Sequence, residues 1–172
     1  MVRDFGPSSQ ETSQSGNKMD KWPADLDPKA LAQWVERHFD GTLMGLLGIQ
    51  VIEVSKERAV VKLPFHTGIT TPSGHVHAGA MVSLADTSAT FAAMAVSERA
   101  VPLEEMPVAV SISSQIVGNV QEGTLRSEST VTHPGRTLMA VTTRITADGG
   151  KLLALVNSSH YIRPHSGIKE PT

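Results

Sequence analysis

Residues 74–99 read GHVHAGAMVSLADTSATFAAMAVSER, and this stretch decides how the rest of the chain folds. From Ala78 to Val96 it has no proline and much alanine, a residue that loses little entropy in a helix. Apolar and small residues recur at spacings of three and four, and the opposite side is also mostly small or apolar. A helix of this kind is usually covered by other structure all round, so the sequence predicts a buried central helix.

One carboxylate, Asp86, lies in the middle of this predicted helix. An aspartate is seldom fully buried without a partner or a chemical task. Asp86 is therefore the first candidate for a catalytic group. The alternative is a polar residue that is satisfied at a subunit interface.

Length and composition exclude several classes of protein. The 172 residues suffice for one domain with a core, and the net charge of -2, with scattered basic residues, argues against a nucleic-acid surface. The absence of cysteine excludes disulfides, thiolate metal sites and a thiol nucleophile. We see neither a run of about 18 apolar residues nor the apolar core of a signal peptide, and therefore expect a cytoplasmic protein without a membrane partner.

The pattern outside the central stretch predicts one domain with two tails. Residues 1–24 are polar and are expected to be a flexible tail, residues 25–165 the folded domain, and residues 166–172 a second tail. Asp27 and Pro28 are typical of a helix start. Two strands precede the central helix and four follow it, and turn signals such as 148–150 predict hairpins and an antiparallel sheet.

The motif at 74–79, an acidic residue nine positions after His77, and the later Gly123 and 135–137 together resemble the hotdog-fold acyl-CoA thioesterases. The resemblance is to the branch that includes the phenylacetate-pathway and 4-hydroxybenzoyl-CoA thioesterases, and it covers roughly residues 43–164. It implies an α+β hotdog fold, in which a curved antiparallel sheet of about six strands wraps round one long helix. It also implies an acyl-CoA substrate and a homo-oligomer, a dimer or a dimer of dimers, with sheets joined edge to edge.

Two positions depart from the family pattern. Ala78 stands where glycine is common, and Thr71 stands where the family commonly has asparagine or glutamine. Thr71 can still donate a hydrogen bond to a substrate. Thr90, four residues beyond Asp86, matches one branch of the family and could position a water molecule or the carboxylate.

The helix N-terminus near Ala78 and Gly79 is expected to offer unpaired N–H groups and a positive dipole end that polarise a thioester carbonyl. Asp86 lies eight residues beyond Ala78, about 12 Å along a helix, which is too far to serve the same carbonyl in one chain. We therefore expect a site shared between two subunits. Asp86 then acts either as a general base or as the nucleophile.

Other polar residues are candidates for substrate binding. His77 could orient the turn or contact the acyl group, and Ser111 shares a strand face with Ser113. Arg136 and Arg163 could bind the phosphates of coenzyme A, although a surface arginine is more often only a solvated charge. His75 and His77 could bind a metal with His66, but no acidic or cysteine ligand accompanies them, so we expect neither a metal nor another cofactor.

Two other functions are compatible with this fold. A hotdog hydratase or dehydratase would need a histidine five residues beyond its aspartate, where this chain has Phe91. A non-catalytic acyl-CoA-binding module would need no such group. Release of free thiol from an acyl-CoA separates hydrolysis from both alternatives.

Overall fold

The computed structural model describes residues 22–23, 26–97 and 105–162. Within them the chain forms three α-helices and six β-strands, in the order that the sequence predicts. The elements are α1 (Pro28–Glu36), α2 (Leu43–Leu47), β1 (Gln50–Val54), β2 (Ala59–Pro64), α3 (Ala78–Ser97), β3 (Val108–Ile116), β4 (Thr124–Pro134), β5 (Leu138–Ala147) and β6 (Leu152–Tyr161).

The six strands form one antiparallel sheet in the order β1-β2-β4-β5-β6-β3. Consecutive strands pair as hairpins except at β3, which lies at an edge beyond β6. The turn between β5 and β6 places Gly149 and Gly150 at φ 73° and 83°, the left-handed backbone region that glycine adopts without steric cost. The hairpin predicted at 148–150 is confirmed.

The central helix α3 packs against the sheet and is buried along most of its length. The N-terminal helix α1 packs against β1, and Phe39 stacks on Phe91 of α3 with ring centroids 6.1 Å apart. The prediction of a helix wrapped by other structure is thus confirmed. In length and hydropathy α3 also resembles a membrane span, a point the sequence reading missed, but 67% of that span is buried in the fold, as in a core helix.

The N-terminal helix begins as the sequence predicts. Asp27 caps α1 by accepting hydrogen bonds from the N–H groups of Lys29 and Ala30, and Pro28 follows at the first helical position. The packed part of the chain begins earlier than expected, however. Trp22 is only 1% exposed and meets Trp34 edge to face, although it lies within the segment expected to be a flexible tail.

Several expectations fall outside the described residues. These are the tail up to residue 21, most of the polar loop expected between α3 and β3 (residues 98–104), the tail at 166–172, and Arg163. The division of the chain into tails and one domain therefore stays a prediction.

Candidate active site

The turn that precedes α3 is held by short-range hydrogen bonds. The N–H of Thr71 donates to the carbonyl of His75 (2.8 Å), and the N–H of Gly74 donates to the carbonyl of Thr71 (2.9 Å). Gly74 has a φ of 80°, which glycine adopts most readily. The hydroxyl of Thr71 lies 2.8 Å from that of Ser73 and 3.3 Å from the carbonyl oxygen of His75. Thr71 therefore bonds within the turn in this structure.

His77 caps the start of α3. Its Nδ1 accepts a hydrogen bond from the N–H of Gly79 (2.8 Å), and its carbonyl accepts from the N–H of Ala80 (3.0 Å). A Cβ atom on residue 79 would lie 2.9 Å from this Nδ1, so the glycine leaves room for the ring. The expectation of an unpaired N–H at Gly79 is therefore wrong, because a side chain of the motif itself occupies it.

The N–H of Ala78 has no hydrogen-bond partner among the described residues. Ala78 is exposed and is the first residue of α3, where the helix dipole places partial positive charge. The neighbouring N–H, that of Gly79, already donates to His77. Of the two backbone N–H groups expected to be unpaired, only that of Ala78 is free within the described residues.

Asp86 is half-buried on α3, and its Oδ1 is shielded from solvent with no hydrogen-bond partner in the described part of the chain. Burial raises the pKa of this carboxyl above its ordinary value of 3.8, because the charged form loses solvation. No ion pair within the described residues involves it. A raised pKa and an orphaned oxygen are typical of a group kept for chemistry.

Helical geometry shows where Asp86 points. At about 100° per residue, it lies about 200° round the axis from Leu84 and about 140° from Phe91, both of which are buried in the core. Asp86 therefore lies on the opposite side of α3 from Leu84 and Phe91. On the side of Asp86, Ala93 is buried in a second core cluster. Thr90, one turn further on, shares this side and is half-buried.

The structure does not bring Ser111 to the same side of the sheet as α3. Ser111 pairs with Ser159, whereas its neighbour Ile112 pairs with the buried Ser158, on the face that α3 covers. Ser111 and Ser113 share the outer face, as alternation predicts, and line a shallow groove of about 210 Å³.

Arg136 is exposed in the turn between β4 and β5. It borders a groove of about 140 Å³ together with Val96 and Ser97 at the C-terminal end of α3. Asp86 lies eleven residues before Ser97, about 16 Å along the helix, so Arg136 and the candidate acid are not neighbours within one chain.

A metal site is not formed by the histidines near the motif. Nε2 of His66 lies 3.0 Å from the carbonyl oxygen of Leu47, and Nδ1 of His75 lies 3.3 Å from the hydroxyl of Ser73. Across residues 22–23, 26–97 and 105–162, no three His, Cys, Asp or Glu side chains come together as metal ligands.

Sequence comparison now adds to this geometry. The family model of the thioesterase superfamily matches residues 73–154, from the motif turn through α3 and into β6. The chain is therefore similar to the thioesterase superfamily over about half of its length. It is 29% identical to the putative esterase ComA2 of Bacillus subtilis over 114 residues, which are 66% of this chain and 88% of that protein.

Two further proteins are similar to this chain. The 1,4-dihydroxy-2-naphthoyl-CoA hydrolase of Listeria monocytogenes is 27% identical over 115 residues, 65% of this chain and 90% of that protein. The PaaI protein of E. coli, from its phenylacetic acid degradation operon, superposes with a TM-score of 0.67 at 21% identity, over 79% of this chain and 94% of that chain. The fold of this chain is the hotdog fold.

One polar residue at the motif turn was missed by the sequence reading. Asn119 follows Gly118 after β3, and an Asn beside a Gly was read only as a turn signal. Its carboxamide instead bonds the backbone of Val76, 43 residues earlier. No local pattern predicts such a long-range contact.

Proposed function

We propose that this protein is a thioesterase, which hydrolyses an acyl-CoA thioester to a carboxylic acid and coenzyme A, with Ala78 of one subunit and Asp86 of another acting on the same carbonyl. One observation supports it most directly: a half-buried carboxyl without a partner and a free helix N-terminal N–H occur on the same helix. They are about 12 Å apart along it, so two subunits are needed for both to act on one carbonyl.

The thioester carbonyl would accept a hydrogen bond from the N–H of Ala78. As the carbonyl carbon is attacked, negative charge grows on its oxygen, and the N–H and the helix dipole stabilise that charge. Asp86 either removes a proton from the attacking water or attacks the carbonyl carbon itself, and both routes release coenzyme A as a thiol. Its raised pKa makes it a stronger base than an exposed aspartate.

His77 supports this site through its tautomer. Because Nδ1 accepts the N–H of Gly79, the neutral ring carries its hydrogen on Nε2. His77 is exposed, so this second donor is accessible to the acyl group or the thioester oxygen. We propose that His77 holds the first turn of α3 in place and borders the substrate, while Thr90 orients the water or the carboxylate beside Asp86.

The second subunit would join at β3. Of the two edge strands in the described sheet, β1 is packed by α1, whereas no described strand pairs with the outer side of β3. This edge carries exposed apolar side chains, namely Val108, Val110, Ile112 and Ile116. An edge strand that is long, apolar and unpaired is normally covered by another chain, and a second copy supplies the missing half of the site.

Three polar residues are candidates to bind the coenzyme A part of the substrate. Arg136 is the described candidate for its phosphates, and Thr71 borders the motif turn where the thioester would lie. Ser111 could contact coenzyme A only from the outer face of the sheet. An acyl-CoA substrate is consistent with a cytoplasmic enzyme.

A complementation experiment tests the shared site. Ala78→Pro removes the free N–H, and proline is well tolerated at the first helical position. Asp86→Asn removes the acid. Each homo-oligomer should release thiol from a panel of aryl and fatty acyl-CoA esters at least about 100-fold more slowly than wild type.

Mixed dimers, isolated after co-expression of subunits that carry the two substitutions, should recover up to half the wild-type activity per dimer. In a shared arrangement the mixed dimer contains one site with an intact N–H from one chain and an intact acid from the other. A mixed dimer as inactive as both parents would place each site within one chain. Wild-type protein that binds these esters without releasing thiol would favour a binding module instead.

A further inference from the structure

The segment after β3 lies against the motif turn and bonds to it through one side chain. Asn119 Oδ1 accepts from the N–H of Val76 (3.0 Å), and Asn119 Nδ2 donates to the carbonyl of Val76 (2.9 Å). The same Oδ1 also accepts from the N–H of Val120 (2.8 Å). Val76 is 1% exposed, so this amide pair is largely shielded from water.

A carboxamide is the same chemical group as a peptide unit. With its donor and acceptor in one plane, it bonds the N–H and C=O of Val76 as an adjacent strand would. Two hydrogen bonds to one residue fix its orientation as well as its position. Among neutral side chains only Asn and Gln can make such a pair, and Asn places the amide closer to its own backbone.

Val76 lies two residues before Ala78. The intervening residue, His77, donates its N–H to the carbonyl of Ile69 (2.8 Å) and accepts the N–H of Gly79 on Nδ1. The backbone is thus held at Val76 by Asn119 and at His77 by Ile69, and the next N–H along the chain is the free one of Ala78. The direction of that N–H is set by these two attachments.

Asn119 is itself anchored near the proposed subunit interface. It lies three residues beyond the end of β3, and its carbonyl accepts from Nζ of Lys151 (2.9 Å). A neighbouring contact, from Gln121 Nε2 to the carbonyl of Ser73, is longer at 3.3 Å. Asn119 therefore connects the edge strand to the turn that carries the proposed oxyanion donor.

We propose that Asn119 is a positioning residue, whose carboxamide aims the N–H of Ala78 at the oxygen of the thioester carbonyl. This inference rests on the proposed thioesterase reaction. The turn keeps other bonds without Asn119, among them the bridge between Thr70 and Val76 and the bond from Val76 N–H to the carbonyl of Val120 (3.3 Å). Loss of the carboxamide should thus loosen the donor and leave the fold intact.

The test compares Asn119→Ala and Asn119→Asp with wild type. An N–H that acts on the developing oxyanion affects kcat, whereas binding of coenzyme A by other residues sets most of KM. We expect kcat to fall roughly 10- to 100-fold in both variants, less than loss of a donor altogether, while KM changes less than about threefold. Thermal unfolding and the oligomeric state should remain close to wild type.

Matched controls come from an exposed asparagine. Asn157 lies on the outer face of the sheet and accepts a hydrogen bond from the hydroxyl of Thr142 (3.1 Å). Asn157→Ala and Asn157→Asp make the same chemical changes away from the motif turn and should keep wild-type kcat. Asn119→Gln retains the amide one methylene further out and should recover part of the lost kcat.

Three results would overturn the inference. The first is wild-type kcat in folded, oligomeric Asn119 variants while Asp86→Asn is inactive, which leaves the proposed function standing. The second is failure of every Asn119 variant to fold, which would make the residue purely structural. The third is an Asp86→Asn protein that hydrolyses acyl-CoA at the wild-type rate, which overturns the proposed reaction together with this inference.

Discussion

The carboxyl group of Asp86 is kept in an environment that disfavours its charge. Burial raises its pKa above 3.8, so folding is opposed by the loss of solvation whenever the group is ionised. The folded state binds the proton more tightly than the unfolded chain does. Stability is therefore reduced as pH rises from the unfolded pKa through the folded one, and is reduced no further above the folded pKa.

Asp86→Asn should accordingly stabilise the protein while abolishing its activity. We expect a higher free energy of unfolding in urea at pH 7 for the variant. The difference should shrink as pH falls and disappear below 3.8, where the carboxyl is neutral in both the folded and the unfolded chain. Asp40→Asn, at an exposed position, is the control and should change stability by less than about 0.5 kcal/mol. A destabilised Asp86→Asn protein at pH 7 would contradict the expectation.

His160 is the second buried titratable group without a full set of partners. It is fully buried on β6, Nε2 lies 3.0 Å from the hydroxyl of Ser158, and Nδ1 has no partner in the described residues. Burial lowers its pKa from 6.5 to about 4, because the imidazolium would be desolvated. The unfolded chain therefore binds more protons between pH 4 and 6.5.

As pH decreases from 6.5 to 4, the free energy of unfolding should therefore decrease. Protonation of His160 in the unfolded chain should account for about 3 kcal/mol of this decrease. His160→Leu removes the titrating group. The gap in the free energy of unfolding between wild type and variant should change by about that amount between pH 7 and pH 4, as measured by urea denaturation. A gap that is constant with pH would show that His160 has the same pKa in the folded and the unfolded chain.

The cap of α3 shows what residue patterns could and could not predict. Alanine content and spacing predicted the helix and its start, and the motif predicted a free N–H at Ala78, since both depend on nearby residues. The bond from Gly79 to His77 depends on a rotamer that sequence does not specify. The hydrogen bonds between Asn119 and Val76 join residues 43 positions apart, so no local signal could predict the role of Asn119.

The helix and the sheet are joined by a chain of buried hydroxyls. The Oγ of Ser88 lies 2.7 Å from those of Ser127 and Ser129, and Ser129 continues to Thr143 at 2.6 Å. All four residues are fully buried. The spacing of small and apolar residues places Ser88 on the core-facing side of α3. Its two partners on β4, and Thr143 of β5 beyond them, follow only from the strand register.

Ser88→Ala should destabilise the protein by about 1–3 kcal/mol, because it leaves buried hydroxyls on β4 with fewer partners. Ser129→Ala should cost a similar amount. The double variant should cost less than the sum of both, since the two residues share one hydrogen-bond chain. Urea denaturation of the four proteins gives the coupling energy, and strict additivity would show that the chain does not act as a unit.

Sheet order illustrates the limit of local reasoning for whole elements. Tight turns predicted the hairpins β1-β2, β4-β5 and β5-β6, and all three are present. No turn joins β3 to β6, so no local signal predicts that these two strands pair. The resemblance to a family implied an antiparallel sheet and left the order of its strands open. A bulge between Ala109 and Ser111 further offsets the alternation along β3.

In the described sheet, α1 packs against the edge strand β1, whereas no described strand pairs with the outer side of the other edge strand, β3. Facing the same side as α3, Ile112 and Ile116 project from β3 and are 39% and 40% exposed. On the proposed arrangement they pack against a second copy, and that copy contributes the other half of each site. Catalysis should then depend on association even though neither isoleucine belongs to the site.

Replacing both residues with lysine, Ile112→Lys/Ile116→Lys, tests this dependence. Buried against an apolar partner, two lysines on each chain would be desolvated and would repel their copies, whereas in a free subunit they remain in water. Light scattering should show a shift towards monomers, circular dichroism should show an intact fold, and thiol release should fall with the dimer fraction.

The matched control Thr130→Lys/Thr132→Lys lies on exposed positions of β4, an interior strand of the sheet, and should keep both assembly and activity. Full activity in a monomeric double variant would mean that one chain brings the acid and the N–H together, against the 12 Å that separates them along about two turns of α3.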